Sequence, residues 1–389
     1  MKIALVHDYI KEYGGAERVL EVLHEIWPQA PVYTTVYLPK FLGPHAERFR
    51  NWNIITSWFQ KIPFVEKLIS PLRLLTPWVF GNWDFRGYDV VVVSATGAYF
   101  PNLIVRKPTT LHICYCHTPP RYLYGYPTAR DWQKYLLGRI LAALINHRLR
   151  QVDFISYQRP DYIIANSFEV KRRIEKFYRR EATVIYPPVE LASSKLASSV
   201  QLKKNKKLDA SHLDAKRYFL AGGRLARAKR IDLAIEACNR LKLPLKVYGR
   251  AFADYGDKLE KIAGPTVEFL GEVSEEELVG LYQGAKALIY PSEYEDFGIM
   301  PVEAQSFGTP VIGLAQGGVK ETVIDGKTGV LFDEPTVESV VKAIKKLSKL
   351  EIKEKDCINN AKKYSKERFK REIMNFVTTK FKGQKTKNK

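Results

Sequence analysis

The sequence predicts an α/β protein of two Rossmann-like domains, each a parallel sheet covered by helices. Three observations carry that expectation. The chain has 389 residues, more than one hydrophobic core ordinarily serves, because single cores stop growing at roughly 250 to 300 residues. Strand-like runs alternate with helical periodicity in both halves, the mark of parallel strands joined by crossover helices. Between the halves lies YPPVELASSKLASSVQLKKNKKLDASHLDA, which opens on two prolines and continues polar, Ser-rich and Lys-rich without a period. It reads as a linker.

In chain order, residues 3–6 form a first strand, and Val19, Val22, Leu23 and Ile26 then share one face of a helix. Further strands are expected over 89–93, 111–115, 162–165 and 183–185; runs such as DVVVVSA suit strands buried on both faces. After the linker the alternation restarts with strands at 218–221, 245–248, 267–270 and 287–290, and helices at 231–241 and 275–282. The domain boundaries follow: 1–188, a linker over 189–215, and 216–363. A last helix, about 364–380, presents Phe369, Ile373, Phe376 and Val377 on one face.

The composition, 46% hydrophobic and 27% charged, is that of a folded globular protein. The amino-terminal MKIALVHDYI is too short an apolar run for a signal peptide, since His7 and Asp8 end it. The longest apolar stretch, 140–145, falls well short of the ~20 residues a bilayer span requires. A cytoplasmic location is expected. Of the four cysteines only Cys114 and Cys116 are close, at a spacing that fits neither zinc nor redox chemistry. The net charge of +20 favours anionic partners; it collects in a frayed tail over 380–389, in Lys171, Arg172, Arg173, Lys176, Arg179 and Arg180, and in scattered residues over 61–150.

Two strand-to-helix turns carry glycine pairs. Gly14 and Gly15 can bring their backbone amides to an anion at a positive helix end, and a plain tight turn uses the same permissive backbone. At Gly222 and Gly223 the strand is followed by Arg224 and, five residues on, Lys229. A planar guanidinium fork with a compact ammonium suits a departing diphosphate; taken alone, a solvated basic face explains them as well. They do not stand alone, because PSEYEDFGIMPVEA follows the strand at 287–290. Pro301 fits the first turn of a helix, Gly298 admits a close backbone approach, and Glu295 and Glu303 flank that turn so that both carboxylates can reach one cleft.

GGRL with Lys229, then PSEYEDFGIMPVEAQSFGTPVIG with Glu295 and Glu303, resembles the family 4 retaining glycosyltransferases of the GT-B fold, two Rossmann-like domains facing each other across a cleft. ALVHDYIKEYGGAERVLEVLHEIWPQAPVYT, with CYCHTPPRYLY, is similar to a subgroup of O-antigen and exopolysaccharide mannosyltransferases. The resemblance covers about residues 1–380. It implies that Gly223, Arg224 and Lys229 bind the donor diphosphate, that Glu303 bonds the ribose, and that Glu295 with the backbone of Phe297, Gly298 and Ile299 contacts the donor sugar. Gly14 and Gly15 then belong to the donor phosphate, and His117 stands beside the transferred sugar. It also implies that the last helix packs back on the first domain. Where many relatives follow the lysine with glycine, this chain has Arg230.

With no Asp-x-Asp triplet to hold a divalent ion, the two cations are expected to neutralise the leaving group, with no metal and no cofactor. By the subgroup resemblance the substrates are GDP-mannose and a saccharide acceptor carried on a polyprenyl lipid, with UDP-sugars as the alternative donor. The 52–85 segment mixes Trp52, Trp58, Phe59, Phe64, Trp78, Phe80 and Trp83 with Lys61, Lys67 and Arg73. That mixture suits an anionic membrane surface or a lipid-acceptor groove, with the enzyme peripheral on the inner face of the plasma membrane; the core of a helical insertion accounts for it equally. A nucleotide-sugar epimerase on the same architecture is a rival reading. A nucleic-acid-binding protein is a second, and it lacks zinc-finger spacing, ribonucleoprotein aromatics and basic-zipper heptads.

Overall fold

The structure, a computed structural model, describes residues 1–126, 136–192, 218–252 and 254–387, with the side chains of 136–142 and 387 outside that description. The linker expected over 189–215 lies outside it from residue 193 onward. The chain divides into two compact units. The first comprises Met1–Tyr126, Trp132–Pro188 and Lys366–Lys389; the second comprises Val189–Ser365 with Pro127–Asp131.

The first unit holds seven parallel strands, β1 Ile3–His7, β2 Val32–Thr34, β3 Ile54–Thr56, β4 Val90–Ala95, β5 Leu111–Cys116, β6 Tyr162–Ala165 and β7 Thr183–Val184, in the order β3-β2-β1-β4-β5-β6-β7. β4 and β5 are buried at every position, as a sheet covered on both faces requires. The short strand β2 and the edge strand β3 beside it lie beyond the sequence expectation, since three residues are too few to show a period. Helix Gly15–Ile26 buries Val19, Leu20, Val22 and Leu23 against one face.

The carboxy-terminal helix runs Lys366–Lys387, so the expected frayed tail is helical as far as Lys387. Its Phe369, Ile373 and Val377 join Leu5, Val19, Leu23 and Tyr115 in one apolar cluster. Lys366 and Lys370 both meet Glu25, at 2.6 and 2.7 Å, and Arg368 donates to the carbonyls of Tyr186 and Pro187.

The second unit repeats the design with six parallel strands, β8 Tyr218–Gly222, β9 Leu245–Tyr248, β10 Val267–Gly271, β11 Ala285–Tyr290, β12 Val311–Leu314 and β13 Gly329–Phe332, ordered β10-β9-β8-β11-β12-β13. In each sheet the order reverses once, between β1 and β4 and between β8 and β11. Connections leave in opposite directions there, so a crevice opens at the carboxyl ends of the strands, where open α/β sheets bind ligands.

Candidate functional site

In the second unit the residues after β8 and β11 meet at the switch point. After Gly222 the chain makes a single 3-10 turn, Arg227–Lys229, and enters helix Ile231–Leu241 through Arg230. Arg230 is left-handed, φ 49° and ψ 40°, a conformation that costs a side-chain-bearing residue about 1 kcal/mol. The guanidinium offsets the strain by reaching Glu293 at 2.6 Å and Asp232 at 3.2 Å.

Lys229, one residue earlier, reaches Glu295 at 2.5 Å and the Tyr290 hydroxyl at 3.0 Å. Tyr290 in turn donates to Glu295 Oε2 at 2.9 Å, and Ser292 donates to the same oxygen at 2.7 Å. An ammonium has three donors, so these two bonds leave one N–H of Lys229 for an anion. Three donors on one oxygen of Glu295 make that carboxylate a held, weakly nucleophilic group.

The loop carrying Glu295 is clamped from both sides. The Glu293 amide donates to the Ala228 carbonyl at 2.9 Å and the Gly318 amide to the Glu295 carbonyl at 2.8 Å. A Cβ on Gly317, at φ +58°, would stand 2.1 Å from the Glu295 oxygen. Helix Ile299–Ser306 then starts from Gly298 at φ +91°, with Pro301 in its first turn. Gly223 lies against it, where an added Cβ would meet Met300 Sδ at 2.7 Å. Phe297 is buried with its ring edge against Tyr364. Glu303 is buried, 2% exposed, and accepts from Tyr282 at 3.3 Å. Arg224 holds its guanidinium 5.9 Å from the Phe252 ring centroid.

The first unit has its own polar centre at its own switch point. Asp8, directly after β1, is fully buried and receives the Thr96 amide at 2.9 Å and the Thr96 hydroxyl. Burial raises the Asp8 carboxyl above its ordinary range. Ser94 Oγ on β4 lies 3.1 Å from His7 Nδ1 and 2.8 Å from His117 Nε2. Burial, and then the neighbouring His7, push the His117 imidazole down to about 3, so it is neutral at physiological pH. The Gly14 amide, expected to face an anion, is committed to Glu17 Oε2 at 2.9 Å; at the head of helix Gly15–Ile26 that carboxylate already supplies the negative charge a helix amino terminus favours.

Lys229 and Glu295 are thus in direct contact, and Gly223, in the turn after β8, lies against Met300 of the helix that Gly298 opens after β11. Sequence reasoning passed over Tyr290, Ser292, Gly317 and Gly318, and in the first unit Glu17, Ser94 and Thr96. The pair Gly317–Gly318 follows β12 as Gly222–Gly223 ends β8, a signal that was available. Much of the basic run at 171–180 is structural. Arg172 and Arg173 pair with Glu169, Lys171 with Glu175, and Arg180 donates to the carbonyls of Tyr157, Gln158 and Pro160. Among the described residues, no group of three His, Cys, Asp or Glu side chains could hold a metal ion, and no helix is long and apolar enough to cross a membrane.

Two Rossmann-like domains with polar centres at their switch points are the architecture of the GT-B fold. The family model "Glycosyltransferase Family 4" matches residues 13–193 and "Glycosyl transferases group 1" matches 203–364, so both halves of the chain are those of a glycosyltransferase. It is 26% identical over 314 residues to the alpha-1,3/1,6-mannosyltransferase ALG2 of Dictyostelium discoideum, covering 72% of each chain. It is 26% identical over 378 residues to the Kluyveromyces lactis protein of the same name, covering 83% of this chain and 71% of that one. Among solved structures it is similar to Anabaena HepE in complex with UDP, at 17% identity and TM-score 0.68, covering 97% of this chain and all of that one. Thermosynechococcus elongatus sucrose-phosphate synthase gives TM-score 0.69 at 16% identity, covering 98% of this chain and all of that one. At those identities the two structures establish the fold alone.

Proposed function

We propose that the protein is a retaining, metal-independent mannosyltransferase that moves mannose from GDP-mannose to a saccharide acceptor carried on a lipid, in the synthesis of a cell-surface polysaccharide. The observation that carries the reading is the Lys229–Tyr290–Ser292–Glu295 cluster, which pairs a cation with an open valence and a carboxylate already held in place. The mannosyltransferase names of the ALG2 relatives favour mannose. HepE was solved with UDP-glucose, which keeps UDP-sugars as the alternative donor.

In this mechanism Arg224 and Lys229 take up the charge that develops on the departing diphosphate, the role of preorganised donors in a transition state. The departing phosphate oxygen accepts the proton of the attacking hydroxyl, on the face from which it leaves, so the anomeric configuration is kept. Glu295 orients hydroxyls of the sugar instead of attacking it, in keeping with the three hydrogen bonds on its Oε2. Glu303 holds the ribose, Gly223 and the backbone of Phe297, Gly298 and Ile299 line the donor, and Gly15 meets its phosphate. His117 contacts the transferred sugar.

Peripheral attachment to an anionic membrane, on the inner face of the plasma membrane, is supported by one surface of the first domain. Phe59 and Val79 are buried there, but Trp58, Phe64, Leu68, Leu74, Leu75 and Trp78 are exposed, with Lys67 Nζ over the Phe64 ring. Trp58 and Trp78 meet edge to face at 5.7 Å. Exposed Trp, Phe and Leu with Lys67 beside them fit a headgroup boundary.

The test is product stereochemistry with intact-protein mass. Donor alone is expected to leave no sugar on the protein, and the product is expected to be the α-anomer. A glycosyl ester on Glu295 would replace the mechanism with double displacement, and a β-product would overturn retention.

A further inference from the structure

We propose that Ser94, set by His7 and Glu17, is a positioning residue that fixes the neutral tautomer of His117 and leaves its Nδ1 as an acceptor for a sugar hydroxyl. The inference rests on the assignment of His117 to the transferred sugar.

The argument starts from three neighbouring parallel strands. His7 ends β1 and Ser94 lies opposite it on β4. His117 follows β5 directly, its amide donating to the Ala95 carbonyl at 2.9 Å. Parallel register therefore puts three polar side chains in a row at the carboxyl edge of the sheet. His7 and Ser94 are wholly buried, so bulk water does not compete for their bonds.

A serine hydroxyl has one proton and two lone pairs. Placed between His7 Nδ1 at 3.1 Å and His117 Nε2 at 2.8 Å, and wholly buried, it keeps its proton paired only by donating to one neutral ring and accepting from the other. Two arrangements satisfy that condition, and Glu17 separates them. Its Oε1 lies 3.6 Å from His7 Nε2, while its Oε2 is anchored on the Gly14 amide at 2.9 Å. That contact is longer than a hydrogen bond, but a carboxylate there attracts an N–H and repels a bare nitrogen lone pair.

The proton of His7 therefore sits on Nε2, and its Nδ1 accepts from Ser94. The Ser94 oxygen then accepts Nε2–H of His117. Because the His117 ring is neutral, its Nδ1 carries no proton. That nitrogen has no hydrogen-bond partner among the described residues, and the residue is 8% exposed. A neutral nitrogen acceptor offered to a sugar fixes a hydroxyl proton outward from the ring, the orientation needed where position governs rate.

The experiment labels the histidines of the full chain, seven in number, with nitrogen-15 and reads each tautomer from ring-proton correlation spectra, with His117→Gln to assign the signal. The expected result is His7 and His117 both protonated at Nε2 and bare at Nδ1. A wild-type His117 protonated at Nδ1 overturns the proposal, and this readout needs neither a substrate nor a folded variant of Ser94. Ser94→Ala is then expected to mix the His117 tautomers and lower kcat at least about tenfold, with the donor KM within about twofold. Ser94→Thr, which keeps the hydroxyl, is expected to restore most of the rate. Unchanged tautomer and kcat in a Ser94→Ala protein of normal melting temperature would also sink it. A wild-type protein that transfers no sugar fails the mannosyltransferase reading while the tautomer spectra still decide the relay.

Discussion

Replacing Lys229 with alanine removes the cation that Glu295 and Tyr290 position, and the expected outcome is a fall in kcat of about a hundredfold or more, the scale of losing one preorganised contact to developing charge. Arg224→Ala is expected to act likewise. Glu303→Ala should instead raise the donor KM with kcat nearly kept, because a ribose contact is made in ground and transition states alike. Steady-state kinetics on the three variants separates the two patterns, and wild-type parameters in both cationic variants would remove the donor-site assignment. At this scale the motif was legible: GGRL, Lys229 and the PSEYEDFG loop lie in two short stretches. The left-handed Arg230 was not, because the Glu293 and Asp232 carboxylates that hold it are a tertiary matter.

At the scale of elements, helix Leu136–Gln158 buries Asp153 where Tyr124 and Tyr178 donate to its Oδ2 at 2.7 and 2.8 Å. Burial outweighs those bonds and pushes its carboxyl up to about 7, from an ordinary 3.8. A raised carboxyl binds more protons folded than unfolded, so its contribution is full below pH 3.8 and is lost as pH rises to about 7. The loss amounts to about 4 kcal/mol. His117, pulled down to about 3, has the opposite sign and loses stability as pH falls below 6.5. The stability difference between Asp153→Asn and wild type isolates the carboxyl: the variant should gain on wild type between pH 4 and 7 in denaturant titrations, and a flat difference would refute the assignment.

The same scale governs helix Lys366–Lys387, which buries Phe369, Ile373 and Val377. At about 2 kcal/mol for each buried side chain, truncation after Ser365 removes roughly 6 kcal/mol from a domain whose margin is about 5 to 15. Loss of the first domain's melting transition is expected in calorimetry, and an unchanged thermogram would contradict it.

For the whole molecule, a thermal-shift panel of GDP, UDP and ADP tests the donor. A nucleotide at ~100 times its Kd adds about 2.7 kcal/mol of stability; GDP is expected to give the largest rise in Tm, and no response to any of the three would count against a nucleotide-sugar enzyme. Sedimentation with vesicles tests the membrane face. Binding to anionic, and not zwitterionic, vesicles is expected, and Trp58→Ser with Trp78→Ser should abolish it, because both rings are exposed and their loss leaves the core intact. Binding unchanged in that double variant would assign the +20 charge, and not this face, to the interaction.

By itself the sequence determined the class of this protein. Alternating periodicities specify parallel sheets because each helix and strand must bury one face, and that requirement is written locally in runs such as DVVVVSA and in the helix Gly15–Ile26. The glycines and charges of the turn after β8 and the loop after β11 are local too, since a tight turn or a helix start constrains the residues that make it. Tertiary structure alone decided the order of strands, the three-residue strands β2 and β3, and the meeting of His7, Ser94 and His117 across 87 and 23 residues of chain. Pairing between strands depends on backbone groups that every residue carries, so the sequence does not record which strand lies beside which, nor which distant side chains that neighbourhood brings within a hydrogen bond of each other.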